Sequence, residues 1–275
     1  MKGLVKRSIT GIVFAAVMLA GIIIHQYVFA IVFTVFLLFT LFEFYKISEN
    51  IGYEPSTKIG LISGFLLFII FFFAANHIIP QKFIAFSILI PLATLLPDLF
   101  DKRKNGFKNS MITIAGIIYI ALPFSLLSFI LFPGNDGDAQ FYPWILIGIF
   151  IIIWMYDSMA YVFGSWLGKH KICQRISPKK SWEGLIGGAV FAVITSVVIS
   201  NVFHELSFID WIVIALLIIS FGTSGDFFES KLKREAGVKD SGNILPGHGG
   251  MLDRFDTVLF AVPVIFVWIY LFGNI

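Results

Sequence analysis

The chain has 275 residues, of which 58% are hydrophobic and only 13% charged, whereas soluble domains carry about 45–50% apolar residues. That balance excludes a water-soluble globular protein and points to a polytopic membrane protein. The lone cysteine, Cys173, excludes an intramolecular disulfide, and a formal net charge of +3 gives no sign of a nucleic-acid partner.

A helix crosses a bilayer with about 20 apolar residues, and about 17 suffice. On that criterion the sequence reads as nine transmembrane helices, near 8–25, 27–45, 59–79, 83–99, 111–132, 143–166, 184–203, 209–225 and 256–272. The expected fold is an all-α integral membrane protein forming one transmembrane domain, 1–275. Lys2, Lys6 and Arg7 precede the first span like the start of a signal peptide, but no small-x-small cleavage site follows, so the span is read as retained. With the N-terminus in the cytoplasm and the C-terminus outside, every Lys and Arg except Lys82 falls on an inner segment, as the positive-inside rule requires. All candidate chemistry then faces the cytoplasm, from a cell inner (plasma) membrane.

Spans one to five, within 1–142, carry few charges and read as scaffold with room for lipid access. Glu43 and Asp98, near the inner ends of spans two and four, are expected to pair with nearby bases. The basic loop 101–108 reads as a topology determinant. Span six contains Asp157, an acid inside an apolar helix, which is either functional or the partner of a base in the next loop. That loop runs Ile176-Ser177-Pro178-Lys179-Lys180-Ser181-Trp182-Glu183-Gly184 and enters span seven with Gly187-Gly188. Hydroxyls, lysines and a helix N-terminus together suit a triphosphate. The glycines serve equally well for close packing between membrane helices, and P-loop spacing is absent.

The most polar stretch of the chain lies between Gly222 and Asp256. If the helix of span eight continues past Gly225, then Asp226, Glu229, Ser230 and Lys233 share one face. Asp253 and Asp256 stand one turn apart at the start of span nine, after Pro246-Gly247-His248-Gly249-Gly250. Carboxylates hold hard divalent cations, Lys and Arg hold phosphate oxygens, and glycines admit backbone amides to an anion. A solvated loop and a capping role for Asp253 are the plainer readings of the same residues.

The run Ser230-x-x-Lys233-Arg234, Lys239-Asp240, Pro246-Gly247-His248-Gly249-Gly250-x-x-Asp253-Arg254-x-Asp256 resembles the signature of the phosphatidate cytidylyltransferase (CDP-diacylglycerol synthase) family, and Ser177 to Gly184 resembles a second motif of that family. The resemblance implies that CTP and phosphatidate react to give CDP-diacylglycerol and pyrophosphate, the lipid phosphate attacking the α-phosphorus in line. It places the nucleotide and metal site in 143–275. Asp226 and Asp253 then lead as ligands of Mg²⁺, with Asp256 and Asp240 next and room for a second cation. Lys179, Lys180, Lys233, Arg234, Lys239 and Arg254 are the candidate phosphate contacts, and His248 is the candidate hydrogen-bond donor to phosphate. Ser177, Ser181, Glu183, Ser230, Gly249 and Gly250 complete the expected substrate surface. The implied partners are CTP, phosphatidate, the bilayer and a second copy of the chain in a homodimer. An ion or solute transporter with acids at its inner helix ends, or a CTP-dependent lipid kinase, are the alternatives; a transporter should place its acids near the midplane of paired halves.

Overall fold

The computed structural model describes residues 2–96, 106–133, 140–247 and 249–273. Among these the chain forms nine helical segments: α1 (Lys2–Ile23), α2 (Gln26–Ile51), α3 (Thr57–Ala75), α4 (Gln81–Ala93), α5 (Gly106–Leu131), α6 (Pro143–Trp166), α7 (Trp182–Ser200), α8 (Phe208–Glu235) and α9 (Leu252–Phe272). Seven of them, all but α1 and α4, are long and apolar enough to cross a membrane, which makes this a multi-pass membrane protein. The apolar part of α1, Ile9–Ile23, and all of α4 are shorter. In α4 the first eight residues, Gln81–Ile88, wind as a 3₁₀ helix after Pro80, and Pro91 follows; proline removes a backbone donor and limits regular winding there. The expected fourth span, with Asp98, extends beyond the described residues.

Helix ends follow local chemistry. His25 accepts the amide of Tyr27 at the start of α2, and Gly52 ends that helix at φ 104°, a left-handed turn natural to glycine. At the start of α8, Ser207 and Asp210 form a reciprocal capping box. Between α6 and α7 lies an antiparallel hairpin, β1 (Lys171–Cys173) with β2 (Ser177–Ser181), in which Lys171 faces Ser181 and Cys173 faces Ser177.

The residues group into two compact units, one drawn from Met1–Phe141 and Glu235–Phe255, the other from Tyr142–Arg234 and Asp256–Ile275. The first unit is filled by phenylalanine: Phe29, Phe33, Phe68, Phe72, Phe124 and Phe255 are all buried. Phe29 stacks on Phe33 at 4.4 Å, and Phe124 meets Phe255 at 4.8 Å. Beside them Tyr45 donates to the carbonyl of Thr113 at 2.8 Å. Its ring fits because Gly60 and Gly116 lack side chains; a Cβ on Gly116 would stand 2.7 Å from the ring.

In the second unit, α7 shows the inversion expected of a bilayer helix. Ile186, Val190, Ile194 and Val198 repeat every fourth residue and are exposed, whereas Gly184, Gly188, Ala192 and Ser196 repeat on the buried side. Small residues let backbones approach, which drives association where lipid is as apolar as leucine. A Cβ on Gly184 would lie 2.7 Å from the carbonyl oxygen of Ala160, and one on Gly188 would lie 2.8 Å from that of Tyr156. The α6–α7 contact is therefore a backbone contact.

Replacing Gly116 by valine should cost about 1–3 kcal/mol by overpacking, and Tyr45→Phe about 1 kcal/mol by loss of one buried hydrogen bond. Thermal unfolding of the full chain in detergent checks this, the glycine variant losing more.

Candidate active site

The described candidate residues of the second unit gather where α8 turns polar. The segment Ile218–Gly222 winds as a π turn, which shifts the register of α8 just ahead of Thr223 and Asp226; such turns recur at functional sites. Two glycines on α8 then lie against α9. A Cβ on Gly225 would strike the carbonyl oxygen of Asp256, and one on Gly222 would lie 2.6 Å from the methyl of Thr257. Close approach of the backbones brings together the carboxylates of Asp226, Glu229 and Asp256, which offer oxygens within 4.8 Å of one another. The helix does run past Gly225, to Glu235.

Two carboxylates at that distance repel by about 3 kcal/mol at an effective dielectric constant of 20, so the cluster needs positive charge. Lys180, delivered by β2, pairs with Oδ2 of Asp226, and its ammonium lies 4.6 Å from the centre of the Phe227 ring. Lys233 pairs with Oε2 of the fully buried Glu229 at 2.6 Å, one turn along the helix. Asp256 accepts the amide of Thr257 at 2.6 Å, and the Ser230 hydroxyl donates to Oδ1 of Asp226 at 3.4 Å. Lys180 and Lys233 thus each bring an ammonium group into direct contact with one acid of the cluster. Hard carboxylate oxygens, converging and incompletely neutralised, are the donor set that suits a divalent cation such as Mg²⁺. Glu229 is the least suited of the three, since it is fully buried and its Lys233 partner comes from its own helix.

A cavity of about 570 Å³ opens beside Asp226, lined among others by Tyr156, Asp157, Lys179, Lys180 and Ser181. Its size and mixed lining fit a small-molecule site. Asp157 is exposed on its wall, so the acid inside span six belongs to the cavity. The hydroxyls of Tyr156 and Thr223 are hydrogen-bonded at 2.5 Å on the same wall.

Several expected substrate residues have structural partners. Ser181 accepts the Gly184 amide at 3.2 Å as the cap of α7. Glu183 accepts the His170 amide at 3.1 Å and pairs with Nδ1 of His170 at 2.6 Å, closing the hairpin onto the helix. Arg234 reaches the carbonyl of Ile176 in the hairpin turn at 3.4 Å. Lys179 is exposed and Ser177 half-buried.

The remaining signature residues lie in the first unit. Oδ2 of Asp253 accepts the Ser241 amide at 2.9 Å and the Gly250 amide at 2.8 Å, and lies 3.0 Å from the Ser241 hydroxyl. Asp253 stands inside the first turn of α9 and its carboxylate binds groups of the preceding loop, so its structural role differs from the helix N-cap considered from the sequence. Lys239, Asp240 and Arg254 are exposed, Gly249 sits at φ 83°, and His248 lies outside the described residues. Glu43 corrects the sequence reading: among the described residues its bonds come from Ser241 and Leu252 rather than from a Lys or Arg. Sequence reasoning also passed over Tyr156 and Thr223, although each stands next to, or three residues before, an acid it had singled out.

Comparison with known proteins gives a consistent result. The model of the cytidylyltransferase family matches residues 5–272. A phosphatidate cytidylyltransferase of Bacillus subtilis (strain 168) is 35% identical over 277 residues, covering 98% of each chain. Those of Staphylococcus saprophyticus and Staphylococcus aureus (strain COL) are 35% identical over 192 and 187 residues, covering 69% and 67% of each chain.

If Lys180 neutralises the acid cluster, Lys180→Met should lower the unfolding midpoint in chelator by the equivalent of about 1–2 kcal/mol, a figure reduced because the pair is partly exposed. Added divalent cation should restore more of the midpoint in this variant than in the parent, as differential scanning fluorimetry would show.

Proposed function

The chain belongs to the cytidylyltransferase family, and from that premise we propose that it is a phosphatidate cytidylyltransferase, transferring CMP from CTP to phosphatidate with release of pyrophosphate. The observation that carries the reading is the acid cluster of Asp226, Glu229 and Asp256 with Lys180 paired to Asp226 at a cavity wall. The full-length match disfavours the transporter and lipid-kinase readings.

In the reaction an oxygen of the lipid phosphate forms a bond to the α-phosphorus of CTP, while the bond from that phosphorus to the bridging oxygen breaks and pyrophosphate leaves with its electron pair. The attacking phosphate monoester is already an anion near neutrality, so no side-chain nucleophile or base is needed. The protein's task is to bring two anions together and to stabilise the leaving group. Asp226 and Asp256 would hold Mg²⁺, with Glu229 beside them; Asp253 and Asp240 enter the ligand set on the strength of the signature alone. Once bound, the ion would neutralise triphosphate charge and favour pyrophosphate departure. Lys180 would exchange Asp226 for a phosphate oxygen when the nucleotide enters. Lys179, exposed at the hairpin, serves as a second anchor, and the signature assigns Lys233, Arg234, Lys239, Arg254 and His248 to phosphate as well. Ser181, Glu183 and His170 hold the hairpin in shape, so that Lys180 reaches the cavity.

The distribution of Lys and Arg supports an active site on the cytoplasmic side of the plasma membrane, where CTP is available. A homodimer is part of the same proposal and rests on family likeness. Purified protein in detergent, given phosphatidate and radiolabelled CTP, should form labelled CDP-diacylglycerol only when Mg²⁺ is present. Asp226→Asn and Asp256→Asn should each lower the rate about 100-fold or more, the scale of losing transition-state charge stabilisation. A folded parent that forms no liponucleotide, or variants that keep the parent rate, would overturn the proposal.

A further inference from the structure

Glu43 lies in α2, in the half of the chain that reads from sequence as scaffold. Its side chain is almost completely removed from solvent, with 3% of the residue exposed. A buried carboxylate costs several kcal/mol unless its oxygens are well bonded, so its surroundings show what it is for. Oε2 accepts the backbone amide of Leu252 at 2.8 Å and the hydroxyl of Ser241 at 2.9 Å. Oε1 has no hydrogen-bond partner among the described residues.

Leu252 is the first residue of α9, whose leading amides have no acceptor within the helix. Negative charge at a helix N-terminus is favourable, and here it comes from a different helix. The Ser241 hydroxyl that donates to Glu43 also contacts Oδ2 of Asp253 at 3.0 Å, and the Ser241 amide donates to that same oxygen. Two glycines make room for the arrangement. A Cβ on Gly250 would collide with Oε2 of Glu43 and the Ser241 hydroxyl, and one on Gly242 would lie 2.8 Å from the Glu43 carboxyl carbon. The second glycine of the Gly249-Gly250 pair thus answers to a buried acid of α2, and phosphate contact alone does not account for it.

We propose that Glu43 is a positioning residue for the signature loop: by binding the Leu252 amide and the Ser241 hydroxyl it fixes Ser241, Gly250 and Leu252 and the orientation of the Asp253 carboxylate. The role rests on the cytidylyltransferase reading of the signature, and Glu43 itself touches no reacting group. Groups that orient metal or substrate ligands typically change affinity or activity 10–100-fold when removed.

The test uses the full chain in detergent with Glu43→Gln, Glu43→Ala, Ser241→Ala and the double alanine variant, assayed per folded molecule for kcat, KM for CTP and the Mg²⁺ concentration giving half-maximal rate. Glu43→Gln keeps an acceptor and should stay within about threefold of the parent, whereas Glu43→Ala and Ser241→Ala should each raise the Mg²⁺ requirement about tenfold. The double variant should be no worse than Glu43→Ala, because both changes cut one chain of contacts. Backbone amide exchange across 241–252 should quicken in the alanine variants and not in Glu43→Gln. Alanine variants that lose thermal stability but keep the parent's Mg²⁺ requirement and loop protection would show a merely structural acid and overturn the proposal. Should Glu43→Ala fail to fold, Ser241→Ala decides: a parent-like Mg²⁺ requirement contradicts the role. A parent that makes no CDP-diacylglycerol refutes the family reading instead, and amide exchange still tests whether Glu43 holds the loop.

Discussion

Carboxylates crowded at the ends of apolar helices must find positive charge, and the second unit is built around how that is done. Asp226, Glu229 and Asp256 come within 4.8 Å of one another, a spacing at which self-repulsion outweighs a typical surface ion pair. Lys180 and Lys233 supply ammonium groups to Asp226 and Glu229. Lys233 belongs to the same helix as its partner. Lys180 comes from a hairpin 46 residues away and lines a cavity. A resting ion pair of this kind offsets part of the repulsion among the acids.

The cluster exists because backbones approach more closely there than side chains would allow. Gly222 and Gly225 on α8 face Thr257 and Asp256, and Gly184 and Gly188 on α7 face Ala160 and Tyr156. In a bilayer this is also the cheapest way to hold helices together, since burial against lipid gains little. One set of small residues therefore serves both stability and the assembly of the acids. The phenylalanine core of the first unit solves the other problem of a membrane protein, filling volume with rings that need no hydrogen bonds.

Much of this was legible in the sequence where the cause was local. The apolar runs, the polar stretch from Gly222 to Asp256, and the shared helical face of Asp226, Glu229 and Lys233 follow from spacing alone. Length alone says less about α4, whose first eight residues wind as a 3₁₀ helix after Pro80 and which covers 13 residues among the described ones. The reading failed where the cause was distant. Nothing near Glu43 announces that its partner is Ser241, 198 positions later, and the expectation of a basic partner was the generic one for an acid at a helix end. Ser181 and Glu183 were expected at the substrate surface from the family motif; their bonds to Gly184 and His170 depend on a hairpin that the sequence pattern did not show. The π turn ahead of Thr223 leaves no mark in hydrophobic periodicity over so short a run.

Asp226 and Asp256 are the proposed divalent-cation ligands of this family's reaction centre. Mn²⁺, which reports its own binding by electron paramagnetic resonance, tests this assignment most directly on the full chain in detergent without substrate. The parent should give a saturable bound-Mn²⁺ signal that Mg²⁺ displaces, and Asp226→Asn and Asp256→Asn should each weaken it at least tenfold while remaining folded. Binding of unchanged strength in both variants would contradict the assignment.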